Sequence, residues 1–228
     1  MMYESQIAKR NDASRDARAS GGATTDEGVR LLNKGDWREG RVAEPCRFDF
    51  VPLTKLIGYL IDKHHVYARR QMETIGALVA ALSEAHGEGH PTLARVRGLF
   101  KALRQELLFH MEKEEVLLFP DIIRTESAAR SREPQIAPYF GPMRDPIKML
   151  MREHDDLCAT FDALREATND YTPCDADCAD YRALCRALRD LELDQLQLIC
   201  LEDNILFPRA LELELNALYS PTLRTRRE

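Results

Sequence analysis

The chain has 228 residues, 44% of them hydrophobic, with 32 Lys and Arg against 38 Asp and Glu, for a net charge of −6. That is enough apolar material for a sizeable core and the wrong sign of charge for a dedicated nucleic-acid binder, so no nucleic-acid partner is expected. The longest apolar run, Ile75 to Leu82, is too short to span a bilayer, and MMYESQIAKRND has no signal-peptide core, so the expectation is a cytoplasmic protein with no membrane partner and reduced cysteines.

Residues 1–48 read as an irregular N-terminal tail. They are rich in Ser, Gly, Arg, Asp and Glu, and only Trp37 and the Leu31-Leu32 pair could anchor them. Residues 49–220 carry long helical patterns, and 221–228 form a short C-terminal tail. Helix one is predicted from Pro52 to about Ala85, closed by HGEGHP. Helix two runs from Pro91 to about Thr125, with Pro120 near its end, and a Pro-containing connection follows over 126–144. Helix three starts with Asp145 as N-cap and Pro146 in the first helical position, and ends near Thr168. Helix four runs from about Pro173 to Leu218, with Pro208 inside it. No alternating β-branched run is bounded by hairpin turns. The fold class is therefore all-α, an antiparallel four-helix bundle.

Each helix carries an apolar stripe that polar residues interrupt. In helix two the stripe is Leu103, Leu107, His110, Glu114 and Leu117. In helix three it is Ile147, Leu150, His154, Leu157, Phe161 and Leu164, and in helix four Leu184, Leu188, Leu191, Gln195, Leu198, Glu202 and Ile205. Helix one adds His65, or its neighbour His64, at the same depth. A lone interior histidine is ordinarily a hydrogen-bonded core residue. Two interior carboxylates with few Lys or Arg on their stripes need a counter-charge, and a metal centre accounts for all of these groups together. His110 and Glu114 are i and i+4, so they leave one face a turn apart. Imidazole plus carboxylate without thiolate suits iron, manganese or zinc, and such clusters in bundle cores typically hold two metals. Glu106 and Glu153 are either surface carboxylates or hydrogen-bond partners of the ligands. His86 and His90 are assigned no role. Cys174, Cys178 and Cys185 share a helix face and read as small buried hydrophobes.

The sequence also echoes itself. HMEKEEVLLFP at 110–120 aligns with LICLEDNILFP at 198–208, matching Glu114 with Glu202, Phe119 with Phe207 and Pro120 with Pro208. The partner of His110 in this echo is Leu198, which cannot bind a metal. Cys200 points away from the site, Gln195 lies about a turn too far along the axis, and water or hydroxide is the expected fill-in.

His64-His65 with Arg69, HMEKEEVLLFP, EHDDL and LEDNILFPRAL together resemble the hemerythrin-like domain of the iron–sulfur cluster repair di-iron proteins, over roughly 52–215. In that family each iron has two histidines and two glutamates bridge the pair. The resemblance implies His65, His110, Glu114, His154 and Glu202 as ligands, with His65 chosen over His64 by its spacing to Arg69. It implies two non-haem irons, the second site incomplete at Leu198, and a role in the nitrosative or oxidative stress response. That role is cluster repair or the binding or reduction of nitric oxide, with damaged iron–sulfur proteins and NO or O2 as partners. The family's N-terminal domain with vicinal cysteines has no counterpart ahead of Cys46. The alternative reading is a degenerate bundle with one metal or none, acting as a sensor or interaction protein.

Overall fold

Helix α1 consists of Leu53–Leu60, a π turn Ile61–His65 and Val66–His86. Helix α2 runs through Pro91–Lys113, a second π turn Glu114–Leu118 and Phe119–Ser131. Helix α3 is the uninterrupted Arg144–Ala167. Helix α4 repeats the pattern of α2, with Ala179–Leu201, a π turn Glu202–Leu206 and Phe207–Tyr219. This computed structural model describes residues 48, 50–86, 91–131, 141–173 and 179–219, with no strand among them. The expected tails at 1–47 and 221–228, His90, Cys174 and Cys178 lie outside the described residues.

The four helices form the expected antiparallel bundle, with α1 packed on α4 and α2 on α3. Helix two does not stop at Thr125; it continues to Ser131 and shortens the expected connection by six residues. Pro120 lies well inside it. In each π turn the amide after the turn bonds five residues back, Phe119 to the Glu114 carbonyl and Phe207 to the Glu202 carbonyl. The proline that follows has no N–H to place in the i→i−4 ladder, and the extra residue accommodates its ring. Asp145 is not the N-cap of α3. The cap position is Met143, without a side-chain cap bond, and Pro146 occupies the third helical position, where a missing N–H is equally harmless.

The helix starts are capped from across the bundle. Glu126 on α2 accepts from the Leu53 amide at 2.7 Å and the Thr54 amide at 3.0 Å. Glu214 on α4 accepts from the Met143 amide at 3.0 Å. Carboxylates there satisfy free amides and complement the helix dipole. Glu126 follows Glu114 by 12 residues (126 − 114) and Glu214 follows Glu202 by 12 (214 − 202), so the echo extends beyond the motif.

The stripes hold with one correction. Leu118 is buried, and Leu117 is only partly so. The π turn moves the core-facing position on by one residue. The apolar core falls into two clusters. One joins Met72, Ile75, Phe100, Leu107, Phe161 and Leu188; the other joins Leu56, Leu60, Phe119, Leu150, Leu198 and Phe207.

Candidate metal centre

Between the two clusters lies a polar layer. Among the described residues, His110, Glu114, His154 and Glu202 are the group whose ligand atoms all lie within 4.8 Å of one another. All four are buried. The Nε2 atoms of His110 and His154 face each other at 3.0 Å. Glu114 lies 3.4 Å from His110 Nε2 and 3.4 Å from His65 Nε2 through its two oxygens, and Glu202 lies 3.3 Å from His154 Nε2. His65 thus joins the cluster through Glu114, and the five expected residues meet although His65 and Glu202 are 137 positions apart (202 − 65).

Three of the four supporting helices bring their residue in at a π turn: His65 ends the first, while Glu114 and Glu202 begin the others. Such turns widen the helix locally and re-aim side chains. Phe119 stacks on His65 and Phe207 stacks on His154, each at 5.9 Å, fixing the rings from the side of the second apolar cluster.

Every imidazole in this layer has a carboxylate on Nδ1. Glu115 holds His65 at 2.7 Å and is itself clamped by Arg69. Glu153, ion-paired with Lys113, holds His110 at 3.0 Å, and Asp203 holds His154 at 2.9 Å. Asp194 holds His64 at 2.8 Å. These carboxylates are 13–28% exposed, whereas the rings are at most 2% exposed, so the acids ring the layer from outside. A carboxylate on one nitrogen of a histidine fixes its tautomer and presents the other nitrogen as an acceptor.

Glu153 is therefore a partner of a site histidine, while Glu106 is exposed and accepts a 3.5 Å bond from Thr160. Cys185 is buried in the core, as expected of a small hydrophobe. Cys200 accepts from Asn204 at the rim of α4, away from the layer. Buried Gln195 donates to Asp194. Glu115, Asp194 and Asp203 went unassigned in the sequence, and buried His64 stood only as the alternative to His65. Their signal was position: Glu115 and Asp203 each follow a site glutamate, and His64 precedes His65.

Both oxygens of Glu114 and of Glu202, and Nε2 of His64 and His65, are buried without a hydrogen-bond partner among the described residues. The chain provides its own contrast. Buried Glu192, beside the first apolar cluster, takes a 2.6 Å bond from Arg165 on one oxygen, its other oxygen having no partner among the described residues. That carboxylate is paired with a guanidinium; the two in the polar layer have, among the described residues, imidazoles and each other as charged neighbours. Unpaired buried charge at that density is costly, and a cation coordinated by these oxygens and nitrogens removes the cost.

The electrostatics agree. Burial lowers the pKa of His154, but Asp203 and Glu202 outweigh it and push the ring up to about 10. His65 and His110 are also raised against their burial, chiefly by Glu114. Burial raises Glu114, yet His110 and His65 hold it far below the ordinary carboxylate range. Glu202 moves the other way, up to about 7, through burial and the nearby Glu114 charge. The layer thus attracts positive charge, and protons and a metal compete for the same Nε2 atoms. Two carboxylates and neutral imidazoles, with no thiolate, make a donor set suited to iron.

Residues 56–210 match the model of the hemerythrin HHE cation binding domain. The chain is 33% identical over 161 residues to the iron-sulfur cluster repair protein YtfE of Yersinia pestis (strain Pestoides F), covering 70% of this chain. It is 32% identical over the same length to YtfE of Yersinia pseudotuberculosis serotype O:1b. The matched part spans 66% of the length of these curated relatives. With the bundle, the buried histidine–glutamate layer and a domain match across most of the helical region, this chain belongs to the hemerythrin HHE cation-binding family.

Proposed function

We propose that His65, His110, Glu114, His154 and Glu202 hold two non-haem irons, with Glu114 and Glu202 shared between them. We further propose that the protein acts in the cytoplasm in iron–sulfur cluster repair under nitrosative or oxidative stress. The observation that carries this reading is the set of buried carboxylate oxygens with no donor beyond the surrounding imidazoles. The repair role rests on the similarity to the Yersinia proteins, and damaged iron–sulfur proteins are the corresponding partners. Among the described residues no helix is long and apolar enough to cross a membrane.

Iron bound in the layer supplies open coordination positions and electrons for a diatomic ligand such as nitric oxide or dioxygen. The chain's own residues set the conditions. Glu115, Glu153 and Asp203 hold the protons of His65, His110 and His154 at Nδ1, keeping each Nε2 free to bind. Phe119 and Phe207 shield one side of the layer from water. Glu153 borders an open groove between α2 and α3 lined also by Gln105, Phe109, Lys113 and Thr160, a route for protons from solvent to His110.

Leu198 favours a second reading, in which the site has decayed to one metal or none and the bundle senses or docks. Iron quantification on protein purified without oxygen separates the two, with close to two irons per chain expected. Stopped-flow mixing with nitric oxide and an electron donor then separates turnover from simple binding. Protein that takes up no iron refutes the proposed centre. Iron-loaded protein that fails to restore a nitric-oxide-damaged [4Fe–4S] enzyme refutes the repair role alone.

A further inference from the structure

The contacts around the polar layer repeat with pseudo-two-fold symmetry. His65 with Glu115 and Phe119 corresponds to His154 with Asp203 and Phe207. Glu114 corresponds to Glu202. Under the same correspondence His110 maps onto Leu198, and Glu153, just before His154, maps onto His64, just before His65. Glu153 is the residue that bonds His110. Residue 64 therefore stands where the partner of a histidine at 198 would stand, and it is itself a histidine.

The carboxylate has changed sides as well. Asp194, one helical turn before Leu198 on α4, bonds Nδ1 of His64 at 2.8 Å. His64 is 1% exposed and its Nε2 is buried without a hydrogen-bond partner among the described residues. It shares this state with His65, and His64, His65, His110 and His154 each have an acid on Nδ1. The π turn Ile61–His65 lets two consecutive residues both face inward, His65 toward Glu115 on α2 and His64 toward Asp194 on α4. The two glutamates are unequally served: Glu114 lies within 3.4 Å of two imidazole nitrogens, on His65 and His110, while Glu202 lies that close to His154 alone among the described residues.

We propose that His64 supplies the ligand missing at Leu198, so that the histidine comes from α1 and its orienting carboxylate, Asp194, from α4. The inference rests on the metal-centre reading and deepens it. His110 and His154, whose Nε2 atoms face each other at 3.0 Å, would then serve one iron, and His65 and His64 the other, with the glutamates shared. The centre is complete, with its ligand and support exchanged between two helices.

The test compares the full chain with His64→Ala, Leu198→His and the double variant His64→Ala/Leu198→His, each loaded anaerobically with ⁵⁷Fe. The readouts are iron per chain, Mössbauer spectra and melting temperature. The parent should carry two irons and His64→Ala about one, with one Mössbauer doublet lost. The double variant should regain the second iron, because residue 198 lies one turn before Glu202 as His110 lies before Glu114. Leu198→His alone should add none. If His64→Ala folds and keeps two irons, His64 is a structural partner of Asp194 and the assignment is overturned, while the metal centre stands. A parent with one iron that Leu198→His raises to two also overturns it, since the position is then open. A parent with no iron refutes the centre itself. Should His64→Ala fail to fold, His64→Gln takes its place and the same counts decide.

Discussion

Glu114→Ala is expected to purify with little or no iron, where the parent carries close to two. Its carboxylate is fully buried, touches His65 and His110, and lies in the four-residue cluster with His154 and Glu202. On the proposed assignment, removing it takes a shared ligand from both metals. The effect on the iron-free chain should be small and can be of either sign, because an unpaired buried carboxylate contributes little net stability. His65 and His110, whose pKa values are raised chiefly by Glu114, then release their protons more readily. Iron at a thousand times its dissociation constant stabilises a folded state by about 4 kcal/mol, which corresponds to a melting-temperature rise of about 8–16 °C at this chain length. The parent should show that rise and Glu114→Ala should lose it. A variant that melts like the parent with iron and binds as much of it would remove Glu114 from the site.

Deletion of Val116 should spare the fold and disable the centre. Losing a residue inside a helix normally turns everything beyond it by about 100° and tears the apolar stripe from the core. The π turn Glu114–Leu118 changes that outcome. Its closing bond runs from the Phe119 amide to the Glu114 carbonyl, five residues apart. Without Val116, which is 62% exposed, the same two groups are four residues apart and form an ordinary α-helical bond. Phe119 and Ile122 keep their places in the core. Glu115 is drawn off its bonds to His65 and Arg69, and iron content should fall to half or less. Deleting exposed Arg104 in the regular part of α2 is the control and should unfold the bundle. Circular dichroism and iron analysis read both results; a Val116 deletion that unfolds like the control would show that the turn is not an inserted residue.

The bundle was legible because its stripes are long and its apolar positions fall at helical spacing. Ile147 to Leu164 on α3 is buried as its periodicity requires. The π turns were not legible, since an inserted residue beside Leu117 and Leu118 leaves the pattern apolar whichever leucine faces inward. The π turn Ile61–His65 on α1 likewise explains why His64 and His65 fitted the stripe of helix one almost equally: both are buried. The histidines and glutamates of the site stood out as polar interruptions of apolar faces. Their Nδ1 partners did not, because Asp194, Glu115 and Asp203 look like ordinary surface acids until the helices are placed side by side. The caps Glu126 and Glu214 were invisible for a related reason, each serving a helix about 70 residues away.

The division of the apolar core into two clusters has a consequence for how the molecule comes apart. Hydrophobic contact alone does not weld the half around Phe100 and Phe161 to the half around Phe119 and Phe207, because a sheet of like and unlike charges lies between them. Regions divided in this way open as separate cooperative units. Iron held as proposed, by residues from all four helices, would act as a rivet through that seam. Hydrogen exchange should therefore show Phe119–Ser131 and Phe207–Tyr219 opening ahead of the rest in iron-free protein, and both halves exchanging together once iron is bound. Equal protection of both halves without iron would show that the seam is already closed. Loss of the metal then has a mechanical meaning, leaving the chain half open at one end, where a protease could cut it before global unfolding begins.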